Sequence, residues 1–178
     1  MSLRNPNIGR ATIFEWSRAL PRGGSVLDLG CGHGVPVSDV LVGEGFDVYG
    51  VDASPTLVAS YAARFPNAHT ECARVEESDF FGRQFDGVVS IGVIFFLLPD
   101  DQRLLIQKVS QVLKPGGRFA FTASDVADTW PDVMTGAESI SLGAEVYRGW
   151  LREAGLLALS DRVTDEGQND YYFATKPT

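Results

Sequence analysis

The stretch Val26 to Gly34, VLDLGCGHG, limits the fold more than any other part of the chain. Apolar residues run through Val26, Leu27 and Leu29, broken only by Asp28, and glycine then falls at every second position, at 30, 32 and 34. A short apolar run of this kind fits a parallel strand covered on both faces. Glycine suits a backbone with positive φ, or one that something must approach closely. Pro36 follows, and proline suits a first helical turn. The segment therefore reads as strand, glycine turn, helix, with amide groups pointing into a gap above the strand.

The same alternation continues down the chain. Ala11 to Leu20 has the pattern of an amphipathic helix stopped by Pro21, and Pro36 to Glu44 that of a crossover helix ended by Gly45. Phe46 to Val51 reads as a second strand with Asp52 at its carboxyl end. Ser54 and Pro55 then cap and open a helix that runs to about Phe65. Ala68 to Ala73 is a weaker third strand, Glu76 to Gly82 a loop or one helical turn, and Phe85 to Gly92 a β-branched fourth strand. Asp100 is expected to cap a helix with Leu104, Leu105, Val109, Val112 and Leu113 on one stripe, before a fifth strand from Arg118 to Ala123. Strands alternating with helices predict an α/β fold with a mostly parallel sheet and helices on both faces. The period is lost from Asp125 to Leu142, which is expected to be a long irregular loop. A helix near Gly143 to Ala154 precedes two strands, Leu156 to Val163 and Tyr171 to Lys176. The turn between them is too short for a crossover, so they should form an antiparallel hairpin.

Length and charge remove several functions. A chain of 178 residues suits one domain with a real core. Its longest apolar run, Val93 to Leu98, is far short of the ~20 residues a membrane helix needs. A net charge of −8 without any Lys/Arg cluster opposes binding to a nucleic-acid backbone and favours a small neutral or cationic partner. The N-terminus shows no signal-peptide pattern, and two cysteines, Cys31 and Cys72, fit a reducing, cytoplasmic setting better than a disulfide framework.

The run D-x-G-x-G-x-G after V-L-x-L resembles the first motif of the class I S-adenosylmethionine (SAM)-dependent methyltransferases. The resemblance continues in order to Lys114-Pro115-Gly116-Gly117, about two-thirds of the chain. It implies a Rossmann-like methyltransferase sheet, mostly parallel and closed by an antiparallel C-terminal hairpin strand. It also implies one domain: an N-terminal cap helix (1–21), a SAM-binding core (22–124), an acceptor-side loop (125–142), and a C-terminal helix and hairpin (143–178). The resemblance implies SAM as the cofactor, and a small molecule is the expected acceptor. Gly30, Cys31 and Gly32 would give the cofactor close backbone approach. Asp28 would bond loop amides or, through water, the SAM ammonium; the competing role is to tie down the turn. Asp52 ends the second strand 22 residues beyond Gly30, where an acid can accept both ribose hydroxyls. Ala53 would lie under the adenine, with backbone groups of Cys72, Ala73 and Arg74 at its edge. Relatives often carry Asp-Ala where this chain has Cys72-Ala73, so a side-chain contact from residue 72 does not carry over. Ser90 and Ile91 would line the methionine side. His33 is read as a loop residue, and no metal site is expected.

Methyl transfer is an in-line displacement that needs positioning above all, and a general base only for some acceptors. No Asn/Asp-Pro-Pro-Tyr follows the fourth strand, neither cysteine lies where a pyrimidine-attacking nucleophile would sit, and no acidic cluster marks the metal-dependent catechol type. No residue is assigned as catalytic. Trp130, Met134, Tyr147 and Asp125 are candidates for acceptor contacts, each equally able to pack as lid or core. Two other functions compete. A nicotinamide oxidoreductase shares the strand–glycine–helix logic, but G-x-G-x-x-G fails at Val35 when counted from Gly30. A non-catalytic SAM-binding sensor is compatible with every residue named.

Overall fold

The computed structural model describes residues 7–132, 136–159 and 163–178. Helix α1 (Arg10–Ser17) precedes a run of strand–helix units: β1 (Ser25–Leu29), α2 (Val37–Gly43), β2 (Asp47–Asp52), α3 (Pro55–Arg64), β3 (His69–Cys72) and β4 (Phe85–Ser90). Helix α4 (Pro99–Val112) and strand β5 (Leu113–Thr122) follow. The remainder comprises β6 (Ala127–Pro131), β7 (Glu138–Leu142), α5 (Ala144–Glu153), β8 (Leu157–Ala158), β9 (Val163–Thr164) and β10 (Asp170–Thr175).

The main sheet runs β3-β2-β1-β4-β5-β10-β8, with β9 also on β10. The pairs among the first five strands are parallel, and β10 lies antiparallel to β5, β8 and β9. All five residues of β1 are buried, as a central strand with helices on both faces requires. One face packs Leu105, Ile106 and Val109 of α4 and Tyr147 and Leu151 of α5 against Val88, Phe119 and Phe121. The other packs Ile13 and Trp16 of α1 and Val40 and Leu41 of α2 against Val26, Val89 and Ala120. The chain lays β1, β2 and β3 outward on one side and then crosses back to β4 on the other, so its order reverses between β1 and β4. Ligands of open α/β sheets bind at the carboxyl ends of the strands at such a point.

The structure corrects three local expectations. The stretch from 125 to 142 contains a β-hairpin, with Ala127 opposite Leu142 and Pro131 opposite Glu138. Four of the five β6 residues are exposed, so the strand has no apolar alternation to betray it, and its backbone ladder holds it. Asp100 is not the cap of α4. Leu98 is, with Pro99 at the first helical position and Asp100 and Asp101 in the first turn, where carboxylates favour the helix dipole. Strand β5 begins before Lys114-Pro115-Gly116-Gly117, which bulges within it: Phe85 pairs Leu113, but Gly87 already pairs Arg118. Residues 160–162 of the expected strand Leu156 to Val163 lie outside the described residues.

Candidate functional site

Glycine turn and Asp52 form one unit. The amides of Gly30 and Cys31 both donate to the Val51 carbonyl, at 2.8 and 3.1 Å, stitching the turn to the end of β2. The Gly32 amide donates to Asp52 Oδ2 and the Ser54 amide to Asp52 Oδ1, both at 2.9 Å. Two amide bonds fix the carboxylate, and its oxygens keep lone pairs for further donors. The glycines of the turn serve different ends. A Cβ on Gly30 would meet Val93 Cγ2 at 2.0 Å, so that face of Gly30 belongs to a neighbouring side chain and is not a ligand's approach. A Cβ on Gly32 would meet nothing within 4 Å. Gly32, at φ 55°, is where the turn opens to solvent beside Asp52. The Cys31 side chain is buried and packs with Tyr61 and Phe65, which leaves only its backbone to face the gap.

The third-strand residues converge on the same corner. Asp52 pairs Cys72 in register, and the Ala73 amide donates to the Asp52 carbonyl at 3.1 Å. Cys72 Sγ lies 3.9 Å from the Ala53 carbonyl, and both residues are exposed. The Arg74 guanidinium is engaged by Glu76, with Nε to Oε1 at 2.7 Å, and leaves the corner free.

Asp28 lies beneath this turn and is 2 % exposed. Among the described residues it accepts from no loop amide, one of the bonds expected of it. Ser38 Oγ donates to Asp28 Oδ2 at 2.7 Å and in turn accepts from the Tyr61 hydroxyl at 2.8 Å. Burial disfavours the charged form and pushes the Asp28 carboxyl up to about 7; the Ser38 bond opposes this and the Asp52 charge adds to it. The Cys31 thiol and the Tyr61 hydroxyl are also driven upward, by burial first and then by the Asp28 charge. Ser38 was not legible as a partner: it lies on α2, and its meeting with β1 depends on how that helix turns over the sheet.

At the end of β4, Ser90 is fully buried and its hydroxyl has no hydrogen-bond partner among the described residues. Ile91 is half-buried against the α1–α2 side of the core. The Gly92 amide donates to Thr122 Oγ1 at 2.8 Å, which ties the ends of β4 and β5 together. Beside this tie opens a cavity of about 300 Å³, lined by Phe95, Thr122, Trp130, Asp132, Gln168 and Asp170 among others. Trp130 is half-buried, with its ring centroid 5.7 Å from that of Phe95. Only Trp130 of these had drawn attention in the sequence. Phe95 was hidden in an apolar run, and Gln168 and Asp170 in a turn that the fold carries to the end of β5. Asp125 is near: its amide meets Asp170 Oδ2 at 3.4 Å. Tyr147 is corrected out of the acceptor set. It is fully buried against Phe121 and Tyr172, and its hydroxyl donates to Gln102 Oε1 at 2.8 Å. Met134 lies outside the described residues. A larger apolar cleft of about 440 Å³ sits between α1 and β10, but no glycine-turn residue lines it.

A family model described as a methyltransferase domain matches residues 26–117, from the first motif strand to the bulge of β5. The chain belongs to the methyltransferase domain family. An uncharacterized methyltransferase of Synechocystis sp. is 32 % identical over 112 residues, covering 63 % of this chain and 52 % of the relative. A ubiquinone biosynthesis O-methyltransferase of Erwinia tasmaniensis is 32 % identical over 124 residues, covering 66 % of this chain and 50 % of its own length. The chain thus spans about half the length of these relatives. Among solved structures, an S-adenosylmethionine-dependent methyltransferase from Clostridium acetobutylicum superposes with a TM-score of 0.77 at 17 % identity. The match covers 95 % of this methyltransferase-family chain and 91 % of the other, and shows a shared fold. No helix among the described residues is long and apolar enough to cross a membrane.

Proposed function

We propose that the chain binds SAM across the carboxyl edge of β1, β2 and β4 and transfers its methyl group to a small molecule seated in the cavity beside Trp130. The observation that carries this is the joining of Asp52 to the open face of Gly32 through a 2.9 Å bond, where the sheet order reverses. The pair offers what SAM requires: a backbone without a side chain in the way, and a fixed carboxylate with free lone pairs for a ribose diol. Ala53, Cys72 and Ala73 then border the adenine, and the backbone of Gly30 and Cys31 with Ser90 and Ile91 the methionine side. The orphaned Ser90 hydroxyl fits a polar ligand at this edge, since a buried hydroxyl without a partner is costly.

SAM supplies a methyl group made electrophilic by its sulfonium. The residues of this chain hold and orient. Asp52 fixes the ribose, Asp28 sets the charge beneath the turn, and Trp130 with Phe95 shields the acceptor side from water. A one-domain chain acting in the cytoplasm agrees with the free thiols of Cys31 and Cys72. The test is formation of S-adenosylhomocysteine (SAH) from SAM with a small-molecule mixture as acceptor. Turnover that needs both protein and mixture is the expected result. Bound SAM with no SAH from any mixture would point to a sensor instead.

A further inference from the structure

The cleft of about 440 Å³ between α1 and β10 takes no part in the proposed methyl transfer, and its lining has a chemistry of its own. It exists because the two faces of the last strands are covered unequally. On one face, Leu151 of α5 packs with Leu156, Ala158 and Ala174. On the other, the cluster built on α1 takes in Val89, Ala120 and Tyr171 but no residue of β8. Leu157 pairs Thr175, and the Leu159 amide donates to the Phe173 carbonyl at 2.8 Å, so Leu157, Leu159 and Phe173 share this second face. Leu157 is 58 % exposed and Leu159 43 %, apolar area that no helix covers. Trp16 and Ala19 close the cleft from the helix side, and Leu159, Val163 and Phe173 from the sheet side.

One cation lines this apolar trough, Arg118. Among the described residues, the side chains of Arg22, Arg64, Arg118 and Arg152 take no hydrogen bond or ion pair. Arg22, Arg64 and Arg152 are exposed, where water satisfies them, and Arg118 alone of the four is half-buried. Its five N–H donors thus lack a protein acceptor beside apolar walls. Glu15 is the carboxylate of the lining among the described residues, and it is bridged to Arg18 at 3.4 Å with both side chains largely exposed, at the solvent rim. A guanidinium pairs a carboxylate through two parallel bonds, and a cleft of this size with a single charged anchor has the build of a small-molecule site. A second copy of the chain is a poorer occupant, because each copy carries a net charge of −8.

We propose that this cleft is a second ligand site, which binds a free amphipathic carboxylate with its head on Arg118 and its tail against Trp16, Leu159 and Phe173. The tail covers the sheet face that α1 leaves open, and the head supplies the acceptors that Arg118 lacks. An alcohol of the same length fills the tail region and leaves the guanidinium without a charged acceptor. An ammonium of the same length meets Arg118 as a like charge.

The test is calorimetric titration of the purified chain with decanoate, decanol and decylamine, three probes with one tail and different heads. Decanoate is expected to bind one per chain, at least about tenfold more tightly than decanol, with no binding of decylamine. Arg118→Gln should bring decanoate down to the affinity of decanol and leave decanol unchanged. Arg118→Lys, which keeps the charge, should retain most of the preference, and Leu159→Asp should weaken decanoate and decanol together. Thermal melting verifies that each variant is folded. The cleft shares no lining residue with the cavity beside Trp130, and no glycine-turn residue lines it, so saturating SAH should leave decanoate binding in place. Lack of decanoate binding up to about 1 mM, equal affinity for the three heads, or an Arg118→Gln variant that binds decanoate as before would overturn the proposal. Displacement of decanoate by SAH would also overturn it, by moving the ligand to the cofactor edge. So would a dimer in sedimentation that Leu159→Asp dissociates, because a second copy would then cover the cleft.

Discussion

Asp28 and Asp52 stand on neighbouring strands, yet burial treats them differently. Asp52 is half-buried and held by two amides, whereas Asp28 is enclosed with a single hydroxyl donor. The folded chain raises the Asp28 carboxyl from 3.8 to about 7. It therefore holds that proton more tightly than the unfolded chain does. The resulting stabilisation is complete below about pH 4, falls as pH climbs toward 7, and is gone above it. The shift corresponds to at most ~4 kcal/mol. Asp28→Asn keeps an acceptor for Ser38 and carries no charge. Thermal unfolding without ligand at pH 5 and pH 8 should show the native chain losing stability at the higher pH and Asp28→Asn losing much less. Parallel losses would mean that Asp28 is not the titrating group. The position of Asp52 could be read from the sequence, because a strand end is local information. The isolation of Asp28 could not, because it arises from α2 and α3 closing over the turn.

Among the elements, the β6–β7 hairpin is the one that the proposed function places on the acceptor side. Its sequence looked irregular because ladders need no apolar pattern, and what it buries is polar, Ser139 and Ser141. Its position carries the proposed role: loops that follow a strand's carboxyl end in an open α/β sheet border the ligand crevice. Trp130 projects from β6 to Phe95, next to the β4 end, and is only half-buried there. Trp130→Ala should therefore lower the methyl-transfer rate at least tenfold while SAM affinity stays within about twofold and the melting temperature barely moves. A stability loss of ~3–5 kcal/mol, the usual cost of deleting a core tryptophan, with rate and cofactor affinity falling together, would make it a packing residue. Tyr147 shows the opposite case. It was a candidate by residue type alone, and α5 turns it into the core, where the Gln102 bond satisfies its hydroxyl.

For the molecule as a whole, alternation of strands and helices was enough to give the parallel sheet, and the short final turn gave its antiparallel strand. What no periodicity could show was that the reversal between β1 and β4 gathers the glycine turn, Asp52, Ser90 and Thr122 on one edge. The same gathering separates SAM from NAD. A pyrophosphate would have to sit over a turn with Asp28 beneath and Asp52 beside it, two acids where such a ligand needs none. Calorimetric titration of the purified chain with SAM and with NAD, repeated on Asp52→Asn, tests this directly. SAM should bind and NAD should not. Asp52→Asn should weaken SAM about 10- to 100-fold, the ~1.5–3 kcal/mol of a charge-assisted hydrogen bond, beyond any loss of stability from the Gly32 or Ser54 amide. Binding of NAD with no response to SAM, or SAM affinity indifferent to Asp52→Asn, would contradict the account.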